Sequence, residues 1–210
     1  VAASILGVNP FDQPDVEAGK AAMRRLTAEY DKSGSLPVET PFFVGDGIKL
    51  FADEKNASAL RKLAKGADTL SGYFKAHLAR IGTGDYFAFL AFIERNAAHE
   101  AALQLMRQGV RDSKRVATCL EFGPRFLHST GQTHKGGPNT GVFLQITCDD
   151  AFDLAVPGHE YTFGLVKATQ ARGDFQVLAN RDRRVLRAHL GADVGAGLKA
   201  LQTALLAALT

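Results

Sequence analysis

YFAFLAFI, residues 86–93, is an unbroken apolar and aromatic run set between GTGD at 82–85 and ERN at 94–96. It is far too short to cross a bilayer. It lacks the polar face that a surface helix or a half-exposed strand would show. Such a run reads as a strand covered on both faces, the position strands occupy in a parallel sheet between two layers of helices. The neighbouring sequence agrees. NAAHEAALQLMRQGVRDS (96–113) reads as a helix and RVATCLEF (115–122) as the next strand. GVFLQITC (141–148) and RRVLRAHL (183–190) read as two more strands, with one or two helices over 160–182 between them and an amphipathic helix over 194–209 at the end. Strands alternating with helices of this length require crossover connections. The expected fold class is therefore α/β: three layers, a largely parallel sheet flanked by helices.

Upstream of Gly82 the pattern differs. VAASILGV (1–8) is an apolar run that stops at Asn9-Pro10 and reads as a strand whose sheet neighbours lie in an upstream domain. NPFDQPD supplies turn formers and helix starters. Asp12 or Gln13 suits the N-cap, Pro14 the first turn, and Asp15 and Glu17 the positive end of the helix dipole. Val16, Met23, Leu26 and Tyr30 then recur at helical spacing, which predicts a helix over 14–31. DKSGSLPVETP (31–41) has the composition of a linker. FFVGDGIKLFAD (42–53) predicts a small strand pair around GDG, and 56–81 carries helical periodicity.

The bulk properties exclude several classes of function. The chain has 210 residues, 46% hydrophobic and 22% charged, with a formal net charge of +3. That is enough length for a sizeable core and too little charge to call for a nucleic acid or membrane partner. No basic stretch precedes an apolar one in the manner of a secretory leader. Cys119 and Cys148 lie in apolar segments far apart, as buried free thiols do. A cytoplasmic protein is expected.

Three features could carry chemistry. Lys20 lies at the margin of the apolar stripe of its helix, near the N-terminal end, where positive charge is disfavoured. Its ammonium either snorkels to water, the reading periodicity alone favours, or is held by a bound anion. GPRFLHSTGQTHKGGP (123–138) sets Arg125, His128, Ser129, Thr130, His134 and Lys135 among four glycines after a predicted strand. Exposed amides with cationic side chains suit an anion such as phosphate, although neither standard phosphate-loop spacing is present, and a structural loop with incidental charge is the alternative. His128 and His134 are six apart, off one helical face, so no metal site is expected. Asp149, Asp150 and Asp153 follow a strand; paired carboxylates can do acid–base work, but acids there more often cap a turn.

GVNPFDQPDVEAGK (7–20) resembles the C-terminal signature of glucose-6-phosphate isomerases, in which a strand leads through an FDQ turn into a helix bearing a catalytic lysine. Phe11, Asp12 and Gln13 match the turn, Val16 and Glu17 the start of the helix, and Lys20 the lysine. GPRFLHSTGQTHKGGPNTGVFLQIT and RRVLRAHLG are similar to the tail of fused transaldolase/glucose-6-phosphate isomerase polypeptides. The resemblance thus covers essentially the whole chain and implies a sugar isomerase-like fold. It divides the chain into the end of the isomerase catalytic domain (1–32), a linker and helical connection (33–81) and an α/β tail domain (82–210).

The resemblance implies interconversion of glucose 6-phosphate and fructose 6-phosphate by ring opening and enediol proton transfer, with no cofactor. Lys20 would stabilise developing negative charge as the catalytic residue, and Gln13 would sit beside the substrate in the same cleft. Arg125, His128, Ser129, Thr130 and Lys135 are the expected further substrate contacts. The family's glutamate base, ring-opening histidine and phosphate cradle have no matching motifs here. Partners implied are the sugar phosphate and the upstream isomerase and transaldolase domains; the strand edge at 1–8 would invite a homo-oligomer. HEYTFGLVKATQARGDF (159–175) is similar to the helix that precedes the FDQ strand in this family. That similarity implies a degenerate second sugar-isomerase domain with 123–138 as its phosphosugar loop. The alternative function is a non-catalytic phosphosugar-binding or domain-docking tail.

Overall fold

The computed structural model describes residues 1–210. Six strands, β1 (Phe43–Gly45), β2 (Ile48–Phe51), β3 (Tyr86–Phe92), β4 (Ala117–Phe122), β5 (Gly141–Cys148) and β6 (Arg184–Leu190), form one sheet in the order β1-β2-β6-β5-β3-β4. The pairs β3–β4, β3–β5 and β5–β6 are parallel. The β1–β2 hairpin adds antiparallel to β6. The helices are α1 (Ala2–Leu6), α2 (Pro14–Ser33), α3 (Glu54–Ala64), α4 (Leu70–Leu78), α5 (Ala97–Lys114), α6 (Thr130–Gly136), α7 (Phe163–Asn180) and α8 (Val194–Ala207).

β3 shows why the apolar run is continuous. Phe87, Phe89 and Ala91 point into a large core shared with α3, α4, α5 and α8. Ala88, Leu90 and Phe92 point the other way, into a smaller core with Phe126 and the α7 residues Ala171, Phe175 and Leu178. With period two and both faces covered, every position must be apolar. The three-layer, largely parallel α/β architecture expected from the sequence is what the chain adopts. Most helices begin with a side-chain cap placed by the sequence: Asp53, Thr69, Asn96, Thr162 and Asp193 each accept from a backbone amide three residues on.

Two expectations are corrected. Residues 1–8 form no strand: Ala2–Leu6 is a short helix, closed by Gly7 at φ 68° and an Ile5 N–H to Val1 C=O bond of 3.1 Å. A strand satisfies its amides only through a neighbouring strand. No strand of this chain lies alongside, so local bonds win, and Val1, Ile5, Leu6 and Val8 stay exposed. The segment 33–81 is also more than a connection, because β1 and β2 extend the main sheet and α3 and α4 cover one of its faces. The helical periodicity over 56–81 breaks into α3 and α4 where Lys65 and Gly66 take positive φ. No helix is long and apolar enough to cross a membrane.

His77 of α4 is fully enclosed in the large core, its Nε2 donating to the Phe143 carbonyl at 3.0 Å, and its Nδ1 is buried without a partner. Burial, reinforced by Arg80, lowers its pKa from 6.5 to about 3. Stability tied to the neutral ring is therefore complete above the ordinary value and drains as pH falls toward 3. At about pH 5 the loss from this residue is about 2 kcal/mol. Denaturant titrations at neutral pH and at about pH 5 should show a smaller loss for His77→Gln than for the parent chain; equal losses would contradict this assignment.

Candidate functional site

Two groups of cavities open on the helical face that carries α2, α6 and α7. The first follows from topology. From β3 the chain passes to β4 on one side, then crosses to β5 on the other, so connections reverse direction between β3 and β5. Ligands of open α/β sheets bind beyond the carboxyl ends of strands at such a reversal. A cavity of about 670 Å³ lies there, reached by Phe92 of β3, Thr147 and Cys148 of β5, and Arg187 and His189 of β6. The ring of His189 is held between Thr147 Oγ1 at 2.9 Å from Nδ1 and Asp149 Oδ1 at 3.0 Å from Nε2. Burial lowers its pKa, with Asp149 opposing. Asp150 pairs with Lys167, and Asp153 accepts from the amides of Leu154 and Gly164. Of the three acids, then, only Asp153 caps a turn.

The glycine-rich segment 123–138, whose sequence allows a short helix within a loop, is mostly helical. It folds into a 3-10 turn, Arg125–His128, followed by α6. Lys135, expected to contact substrate, is instead buried and paired at 2.5 Å with Asp174 of α7; each side chain is 2% exposed. Burial raises the Asp174 pKa against the pull of Lys135. Arg183 clasps the segment by donating to the carbonyls of Lys135 and Gly137. The remaining expected contacts divide. Arg125, Ser129 and Thr130 border a hollow of about 270 Å³ at the carboxyl end of β4, where Glu121 also lies. His128 faces away from it, toward α2.

Glu121 accepts from Thr130 Oγ1 at 2.7 Å and pairs with His134 Nε2 at 3.0 Å; His134 Nδ1 meets the Tyr86 hydroxyl at 2.8 Å. Burial pushes the Glu121 carboxyl up, but these donors outweigh it and hold it below its usual range. The donor atoms of Cys119, Glu121 and His134 all lie within 4.8 Å of one another, the grouping most capable of holding a metal ion. Both nitrogens of His134 are already engaged, and burial pushes the Cys119 thiol to about 12. As built, the group is a hydrogen-bond network that fixes α6 on β4.

The expected lysine helix is present as α2, with Gln13 at its N-cap and Pro14 in the first turn. Lys20 is half-exposed and pairs with Glu17 at 2.7 Å. It borders a hollow of about 370 Å³ between α2 and α6, together with His128, Lys135, Gln170 and Asp174. Gln13 does not line this hollow, so the single cleft expected for Gln13 and Lys20 is corrected to a hollow shared by Lys20 and His128. Residue shape allows α2 to seat here: a Cβ on Gly136 would collide with the Asp15 carboxylate, while the same Asp15 pairs with Arg181. The resemblance pairs Lys20 with Gln13 and carries no information on the 3-10 turn that brings His128 to α2. Sequence reasoning passed over Thr147 and His189, although both close strands of a parallel sheet and therefore meet at one edge.

No protein-family model matches the chain, and no curated protein does. Among solved structures it is similar to a hypothetical protein from Thermus thermophilus, with 18% sequence identity and a TM-score of 0.57. The match covers 73% of this chain and spans 43% of that protein's length. The likeness concerns the fold alone.

The buried pair gives a direct test. Removing one partner leaves an uncompensated charge in the interior, which costs about 3–5 kcal/mol. Lys135→Met should therefore lower unfolding free energy by roughly that amount, and the double variant Lys135→Met/Asp174→Leu should regain most of it. Additive losses in the double variant would show that the pair does not act as a unit.

Proposed function

We propose that the chain is the C-terminal part of a glucose-6-phosphate isomerase fused to a transaldolase, with Lys20 as its contribution to catalysis. The observation that carries this reading is that Lys20, on the helix that begins at the FDQ turn, shares one hollow with His128. Isomerisation of a sugar phosphate needs a cation near the oxygens that gain charge and an acid–base group near the ring. An ammonium and an imidazole across one hollow supply both kinds of group. Lys135 is neutralised by Asp174, but Lys20 and Arg24 share the single carboxylate of Glu17, which leaves α2 with excess positive charge for an anionic substrate.

The hollow lacks a poised carboxylate base. Asp15 is committed to Arg181 and Asp174 to Lys135. Carbon-to-carbon proton transfer would need a base from elsewhere in the polypeptide. This favours, as a second reading, the non-catalytic phosphosugar-binding tail: the hollow would hold a sugar phosphate without turning it over.

Both readings give an expected outcome with fructose 6-phosphate. The chain alone should bind it by calorimetry yet show no conversion in a coupled isomerase assay. Lys20→Ala and His128→Ala should each weaken binding by about tenfold, as loss of one charge-assisted hydrogen bond does. Unchanged binding in both variants would remove both readings, and robust turnover by the chain alone would contradict the missing base. In the full-length fusion, a fall in kcat with Lys20→Ala selects the catalytic reading over the binding tail.

A further inference from the structure

The large cavity at the carboxyl ends of β5 and β6 carries a feature that the hollow beside Lys20 does not share. Arg187 of β6 has a side chain only 4% exposed, with its guanidinium 4.3 Å from the Phe51 ring centroid and 5.1 Å from that of Phe175. Its Nη2 donates to Glu39 Oε2 at 2.8 Å. Its Nε is buried without any partner. Arg172 of α7 points its Nε at the same Glu39 oxygen, also at 2.8 Å, and donates from Nη1 to the Pro37 carbonyl at 2.7 Å.

Two guanidinium groups thus converge on a single carboxylate oxygen. Each could engage a carboxylate or phosphate through two bonds, so donor capacity exceeds what Glu39 supplies. Exposed Lys49 adds positive charge on the same rim. Glu39 itself belongs to residues 34–42, which contain neither helix nor strand. Withdrawing it breaks no ladder bond. The far side of the cavity carries Thr147 and Asp149, both bound to His189, and Asp150, which is paired with Lys167. The chamber therefore carries excess positive charge at the β2 side, while the β5–α7 side mixes acids with Lys167 and a hydroxyl.

We propose that this chamber binds a small hydroxylated anion whose acidic group takes the place of Glu39 Oε2 between Arg172 and Arg187, with its hydroxyls toward Thr147 and Asp149. Glu39 is the built-in stand-in for that acidic group, and it competes with the ligand. The site is separate from the Lys20 hollow and does not depend on it.

Glycerate and glycerol 3-phosphate distinguish a carboxylate from a phosphate as the acidic group, with glycerol as the uncharged control, each titrated into the intact chain by calorimetry. At least one of the two anions should bind and glycerol should not. Glu39→Gln, which removes the competing charge but keeps the shape, should tighten binding about fivefold, the worth of a partly exposed ion pair. Arg172→Gln, at a half-buried position less prone to unfolding than Arg187, should weaken it by about tenfold or more. Lys20→Ala should leave it unchanged. The proposal is overturned if neither anion binds, if Glu39→Gln binds no more tightly than the parent, or if Lys20→Ala abolishes binding. The last result would place the ligand in the other hollow.

Discussion

The face of the sheet that bears the candidate sites is organised by one buried ion pair, Lys135 with Asp174. Taking both ions out of water costs several kcal/mol each, and their attraction repays this only with good geometry and further hydrogen bonds. The geometry is present: the charged atoms are 2.5 Å apart, and the amide of Gln145, on β5, donates to the Ala171 carbonyl and reaches Asp174 at 3.5 Å. Through this pair α6 is tied to α7 and α7 to the sheet. The position of α6 then fixes His134 against Glu121 and Tyr86. Its last residue, Gly136, leaves the space into which Asp15 brings the start of α2. Such a pair adds little net stability, yet losing either partner would leave a buried charge at the seat of α6.

The two kinds of cavity differ in what their acids do. Around Lys20 every acid is engaged in an ion pair: Asp15 with Arg181, Asp174 with Lys135, and Glu17 with Lys20 itself. At the carboxyl ends of β5 and β6 the arginines belong to rigid elements, a strand and a long helix, whereas the acid that satisfies them comes from an irregular segment. Preorganised donors on rigid elements with a replaceable acceptor are what a binding site for an anion requires. The guanidinium of Arg187 is further held by the Phe51 and Phe175 rings, 4.3 and 5.1 Å away.

How much of this was legible in the sequence depended on whether a local pattern or a distant partner decided the outcome. The apolar run at 86–93 could only be a strand covered on both faces, and the boundaries of β5 and β6 follow the apolar pattern almost residue for residue. Residues 1–8 have the composition of a strand, yet a strand exists only where a neighbour completes its hydrogen bonds. The segment 123–138 was harder. Its glycines and cations suit an anion loop, and nothing local reveals that Asp174, 39 residues on from Lys135, neutralises the lysine. The role of Glu39 was invisible for the same reason: it meets Arg172 and Arg187 only because the β1–β2 hairpin, read as part of a connection, joins the edge of the sheet beside β6.

The separation of Gln13 from the hollow bears on what α2 could do in catalysis. Seven residues along a helix amount to nearly two full turns, so Gln13 and Lys20 lie close to the same face but about 10 Å apart along the axis. The hollow with His128 takes in only the Lys20 end. The other end, with Phe11 and Val8 exposed beside Gln13, is open surface. A sugar phosphate touching both side chains would have to lie along the first two turns of α2, under a wall that α6 and α7 do not provide. On the proposed isomerase reading, that wall and the missing carboxylate base are one requirement: a second surface laid against the N-terminal half of α2 would cover the apolar side chains, enclose Gln13 and deliver the base to the substrate held by Lys20.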